Sequence, residues 1–203
     1  MSTSRRKPRS YHHGDLRSSI LQAAGEILEK EGLDAVTLRE VARRSGVSHN
    51  APLRHYPDRE ALLAALAGEG FRNLSEAQRV ASATGGPRGL GESYVRFALE
   101  HPQRFRLMFG GRVAIASHPA LKEAAMITFD AVVEAMAARV PGPGARDAAV
   151  AAWSLVHGLA LLLLDDRIAS AARAGRSDDE FVRQVLGVIR FAAGPPAQSV
   201  QSA

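Results

Sequence analysis

The chain has 203 residues, 46% of them apolar and 23% charged, a formal charge of +5 and no cysteine. That length can bury one mid-sized core or two smaller ones, and the missing cysteine excludes disulfides, thiolate zinc sites, iron–sulfur clusters and cysteine nucleophiles. Alanine and leucine outnumber β-branched and aromatic residues, which favours helices over sheets.

The positive charge is concentrated at the start, where Arg5, Arg6, Lys7, Arg9 and Arg17 face Asp15 alone. A basic arm over residues 1–14 suits a polyanion, and a solvated tail accounts for the same charges. No apolar run follows it, so no signal peptide and a cytoplasmic location are expected. Asp15 reads as the N-cap of a first helix whose Leu16, Ile20, Ala24, Ile27 and Leu28 share one face, ending at Gly32. Thr37-Leu38-Arg39-Glu40 reads as a capping box opening a second helix to Ser45. Gly46 supplies a left-handed stop, and Ser48 can cap a short third helix reaching about Tyr56. After Pro57-Asp58 a further helix carries Leu62, Leu63, Leu66, Phe71 and Leu74 to about Ala81, and the Gly-rich run 82–89 reads as a loop.

Beyond the loop, helices are expected at about 90–100, 102–110, 119–139, 145–173 and 178–193, with Pro102 and Pro119 in first turns. The tail over 194–203 is expected to be disordered. The apolar stretch Ala148–Leu164, interrupted by Ser154, His157 and Gly158, reads as a buried helix shorter than the ~20 residues of a membrane span. The predicted fold is therefore all-α. A three-helix helix-turn-helix domain over residues 15–60 precedes a helical domain over residues 61–193.

Reading a DNA major groove requires a short helix held across it by another, with small or polar residues at its N-terminal end. Residues 37–56 meet that requirement: Ser48, His49 and Asn50 open the third helix, while Arg54, His55 and Arg59 follow where phosphates would run. An ordinary helical hairpin with polar caps would carry a similar pattern. The residues Tyr11-His12-His13-Gly14-Asp15-Leu16-Arg17, Thr37-Leu38-Arg39-Glu40-Val41-Ala42, Gly46-Val47-Ser48 and Leu53-Arg54-His55-Tyr56-Pro57-Asp58-Arg59-Glu60-Ala61-Leu62-Leu63 resemble the DNA-binding domain of the tetracycline-repressor (TetR) family.

The resemblance implies a homodimeric, one-component transcriptional regulator, usually a repressor. Double-stranded operator DNA and a small-molecule effector are the expected partners, and the last two long helices of each chain are expected to form a four-helix dimer interface. By position it implies that Thr37, Ser48, His49 and Asn50 face DNA and that His55 and Arg59 contact phosphates; Arg39, Leu53, Arg54 and Tyr56 are the further expected DNA contacts. One position departs from the family pattern: Leu53, after Pro52, stands where tyrosine is usual, so a hydroxyl donor to phosphate is missing.

In the second half, Trp153-Ser154-Leu155-Val156-His157-Gly158 resembles the Trp-His-Gly signature of one C-terminal subgroup. Trp153 and His157 share a helix face, and either pack a core or line a ligand pocket. Phe97, Phe105, Met108, Phe109, Met126 and Phe129 are further candidates for an apolar pocket, with plain core packing as the alternative. No histidine has a partner at metal-ligand spacing, and no nucleophile elbow, phosphate loop or His-Glu-x-x-His run occurs. The expectation is no metal, no cofactor, no membrane and no enzyme activity. A non-specific architectural DNA-binding protein is the alternative from another class.

Overall fold

The computed structural model describes residues 13–140 and 142–189. Most of the basic arm and the tail from residue 194 lie outside them. Among the described residues there are eight α-helices and no strand. The chain divides into two compact units between Leu66 and Ala67.

The first described element of the first unit is α1 (His13–Glu31), which already includes Asp15, the expected cap. Its apolar face, Ile20, Ala24, Ile27 and Leu28, is completely buried. A 3-10 turn, Leu33–Ala35, leads into α2 (Leu38–Arg44), which contributes Val41 and Ala42 to the same core. Gly46 stops α2 at φ 66. The amide of Val47 reaches the Ala42 carbonyl at 3.0 Å and that of Gly46 reaches Arg43 at 3.2 Å, the paired bonds of a Schellman cap.

The expected third helix is instead a turn through residues 49–51 and a 3-10 turn, Pro52–Arg54. Three of its bonds span three residues, from Ala51 to Ser48, Arg54 to Ala51 and His55 to Pro52, and one four-residue bond, from Tyr56 to Pro52, closes it. Pro52 has no amide hydrogen with which to reach the Ser48 carbonyl, so the four-residue ladder lacks the bond that would begin it.

Helix α3 (Arg59–Glu100) starts in the first unit and continues far into the second, where the expected loop at 82–89 is helical apart from one break. The break is Gly86, at φ 56 and ψ −148, backbone torsions that essentially only glycine accepts. Pro87 follows, and both flanking arms remain helical.

In the second unit α4 (Pro102–Phe109), α5 (Pro119–Ala137), α6 (Gly144–Leu164), α7 (Ser170–Arg173) and α8 (Asp178–Gly187) follow. Helices α5 and α6 are antiparallel neighbours: Phe129 meets Trp153 at 6.0 Å between centroids, while Met136 packs with Ala149.

The helix expected over 145–173 ends at Leu164. Asp166 adopts φ 49, and Arg167 and Asp166 bond back to Leu162 and Leu163 in the same capping pattern that ends α2. Aspartate tolerates the left-handed region better than most residues, so it can do glycine's work here. Helix α6 is also not the buried helix expected. Only 22% of its apolar window is buried, and Val150, Leu155 and Leu162 are exposed. Helix α8 begins with a capping box missed in the sequence, Ser177 with Glu180, and its α-helical part ends at Gly187, short of the expected 193.

Candidate nucleic-acid interface and ligand cavity

In the first unit the exposed polar residues are organised by the two ends of α2. Thr37 caps its start, Oγ1 accepting from the Glu40 amide at 3.1 Å. The reciprocal half of the expected capping box is replaced. Glu40 accepts instead from Arg43 Nε and Nη2, at 2.8 and 2.6 Å, and from Arg44 Nε at 2.9 Å. Arg44 also reaches Glu31. The Arg43 guanidinium, with Arg44 behind it, holds the Glu40 carboxyl down to about 2. A carboxylate encircled by two guanidinium groups gains more than it would from one neutral amide, which explains the substitution.

Past the Gly46 stop, Ser48, His49 and Asn50 are exposed, as are Leu53 and Arg54, and Thr37 and Arg39 are exposed at the start of α2. His55 is half-buried. The segment is fixed from beneath by Pro52 and Tyr56, both buried. Two expected contact residues are corrected. Tyr56 is 2% exposed with its hydroxyl enclosed, so its ring belongs to the core. Arg59 is half-buried and donates from Nε to the Val36 carbonyl and from Nη2 to that of Leu33, both at 2.7 Å. Its guanidinium joins the loop before α2 to the start of α3, where a phosphate contact was expected.

In the second unit Tyr94, overlooked in the sequence, is the centre of the aromatic residues. Trp153 Nε1 donates to its Oη at 3.1 Å, and Oη lies 2.8 Å from His157 Nδ1. Indole can only donate, so Oη accepts from Trp153, and a neutral Nε2–H histidine leaves Nδ1 to accept the tyrosine's proton. Burial lowers the His157 pKa and raises that of Tyr94, which keeps both uncharged.

Phe105 and Phe109 lie around the Tyr94 ring at centroid distances of 5.6 and 6.0 Å, and Phe129 packs against Trp153. The structure thus brings together Phe105, Phe109, Phe129, Trp153 and His157. Met108 is buried beside Gly70, where even a Cβ would come within 2.6 Å of its sulfur. Phe97 pairs with His101 away from this group. Met126 is 53% exposed on α5, a correction to its expected place in a pocket.

Beside the aromatic group lies a cavity of about 380 Å³, and of the eight expected residues only Trp153 is in its wall. Tyr94, Leu90 and Gly91 of α3 form one side, and Val132 and Met136 of α5 and Val156 of α6 the others. The spacing that pointed to the pocket was aromatic, whereas the wall is mainly aliphatic. Gly91 makes room in this wall, where a Cβ would come within 3.2 Å of both Leu186 and Val156.

Comparison with known proteins agrees with this two-part architecture. Residues 20–66 match the family described as bacterial regulatory proteins, tetR family. Residues 88–193, more than half of the chain, match the description Tetracyclin repressor-like, C-terminal domain. The chain belongs to the TetR family.

A solved protein of unknown function from Rhodococcus sp. RHA1 is 34% identical to this TetR-family chain, with a TM-score of 0.74 over 89% of this chain and 96% of that one. A transcriptional regulator from the same source shares the fold at 20% identity and a TM-score of 0.61, over 84% and 91% of the two chains. An uncharacterized HTH-type transcriptional regulator of Mycobacterium tuberculosis is 39% identical over 57 residues, 28% of this chain and 30% of that protein.

Proposed function

We propose that this TetR-family chain is a cytoplasmic, homodimeric transcriptional repressor that binds operator DNA through its first unit and releases it when a small molecule fills the cavity of the second. The observation that carries the reading is the run Ser48-His49-Asn50, exposed directly after the Gly46 stop and anchored by buried Pro52 and Tyr56. Three neighbouring side chains able to hydrogen-bond, on a rigid base and without a folding role of their own, suit contact with base edges. Arg54, exposed beyond them, suits a phosphate. Thr37 and Arg39 at the start of α2 are the further contacts proposed.

Dimerisation is supported by α6, whose exposed Val150, Leu155 and Leu162 are apolar surface that a second copy would cover. A two-fold dimer would address a palindromic site, its two reading segments one DNA turn apart, and an effector that changed that separation would release the DNA.

Selection of bound genomic fragments followed by alanine substitution tests the reading. His49→Ala and Asn50→Ala should each cost about 1–3 kcal/mol on the selected operator and little on unrelated DNA. Arg54→Ala should weaken binding to all sequences alike and reduce the salt slope by roughly one. Selection without sequence preference, or base discrimination that survives both His49 and Asn50 substitutions, would overturn it.

A further inference from the structure

The wall of the cavity in the second unit is made of groups of different chemistry. At one level Tyr94 is hydrogen-bonded to Trp153. One turn earlier on α3, Leu90 packs with Met136 and Ala149, and Arg88 comes before it. On α5 the same order is met with the chain running the opposite way: Phe129 meets Trp153, Met136 packs with Leu90, and Arg139 follows one turn later. The wall thus holds the hydrogen-bonded Tyr94 and Trp153 and, more than a turn away along α3 and past the end of α5, Arg88 and Arg139.

The wall also includes Val132, Val156 and Leu186, and among the described residues no aspartate or glutamate contributes to it. Arg88 is partly balanced by Glu92, 3.2 Å from its Nε, while Glu92 itself is not in the wall. One uncharged polar side chain of the wall stands out. Gln78 is 1% exposed, lines the cavity, and leaves Oε1 without a hydrogen-bond partner. An enclosed amide oxygen lacking a donor is an anomaly that a ligand donor would resolve.

We propose that the cavity takes an amphipathic carboxylic acid: its carboxylate at Arg88 and Arg139, its apolar body against Leu90, Val132, Met136 and Leu186, and a hydroxyl in that body donating to Gln78. The proposal rests on the second unit being the effector domain and names the effector's class. The volume suits a single small ligand, since binding cavities span roughly 300–1,000 Å³. Cations are selected against, because the wall offers two positive charges and no carboxylate to meet them.

Three probes sharing one chain length test this on the full-length protein: decanoate, 3-hydroxydecanoate and decylamine. Trp153, the chain's single tryptophan and part of the wall, provides the fluorescence signal, with calorimetry as a second readout. Decanoate should bind about tenfold or more tightly than decylamine, since a guanidinium–carboxylate contact is replaced by repulsion. The hydroxyl should add a gain of about three- to tenfold.

Arg88→Gln with Arg139→Gln, both at exposed positions, should remove the preference for the acid over the amine. Gln78→Leu should remove the gain from the hydroxyl and leave that preference intact. Equal or tighter binding of decylamine, no binding of any probe, or an acid preference that survives the double substitution overturns the proposal. Operator binding by the same preparations, measured without any acid, reports separately on the regulator reading: if it persists while acid binding fails, this ligand class falls and the regulator stands.

Discussion

Replacing Arg59 with alanine separates a structural arginine from a DNA-contacting one. In the structure its Nε and Nη2 each donate at 2.7 Å to carbonyls of the segment before α2, and one acceptor belongs to Val36, which is completely buried. Hydrogen bonds from a charged donor contribute roughly 1.5–3 kcal/mol each, and the half-exposed setting lowers that, so their joint loss should cost about 2–3 kcal/mol. Stability of this size corresponds to a fall in melting temperature of roughly 5–10 °C for a chain of this length.

The lysine variant should recover only part of the loss, because an ammonium lacks the planar fork that spans two carbonyls. Denaturant melts of both variants, together with operator titrations at several salt concentrations, decide the matter. Weaker binding to every sequence with an unchanged salt slope follows if Arg59 acts only through folding. Unaltered stability combined with a slope reduced by roughly one would show that the guanidinium leaves Leu33 and Val36 for a phosphate and would refute the reasoning.

The Glu40 carboxyl, lowered from 4.5 to about 2 by Arg43 and Arg44, adds stability that is fully present above pH 4.5 and lost as pH falls toward 2. Glu40→Gln should flatten that part of the stability profile in acid denaturation, and an unchanged acid limb would mean the arginines hold nothing there. The wild-type chain should sediment as a dimer at micromolar concentration and Leu162→Glu as a monomer, since a carboxylate on the exposed apolar stripe of α6 would be desolvated on pairing. A wild-type monomer that still recognises its operator would remove the dimer from the proposal.

Helix positions were legible wherever the cause of a boundary was local. Gly46 stops α2, and Pro102 and Pro119 start α4 and α5, because backbone torsions and missing amides act within one turn. Boundaries set by subtler residues were missed. Asp166 ends α6 in a conformation usually left to glycine, and the Gly-rich run at 82–89 stayed helical except at Gly86.

Arginine roles were the least legible, because composition shows a guanidinium's charge and not its acceptor. Arg59 sits next in sequence to exposed polar residues yet bonds across more than twenty positions. Tyr94 and His157 illustrate the same limit, being 63 positions apart and joined only through the packing of α3 against α6.

The reading segment divides its tasks between separate side chains. Pro52 and Tyr56 hold it to the core, while Ser48, His49, Asn50 and Arg54 face outward. A substitution among the outward residues alters what the surface recognises at little cost to folding, because such positions usually change stability by about half a kcal/mol or less. Under the proposed function, operator preference can then drift through single steps without passing through unfolded intermediates. Duplicated copies of such a gene could diverge toward new sites while the scaffold beneath them stays the same.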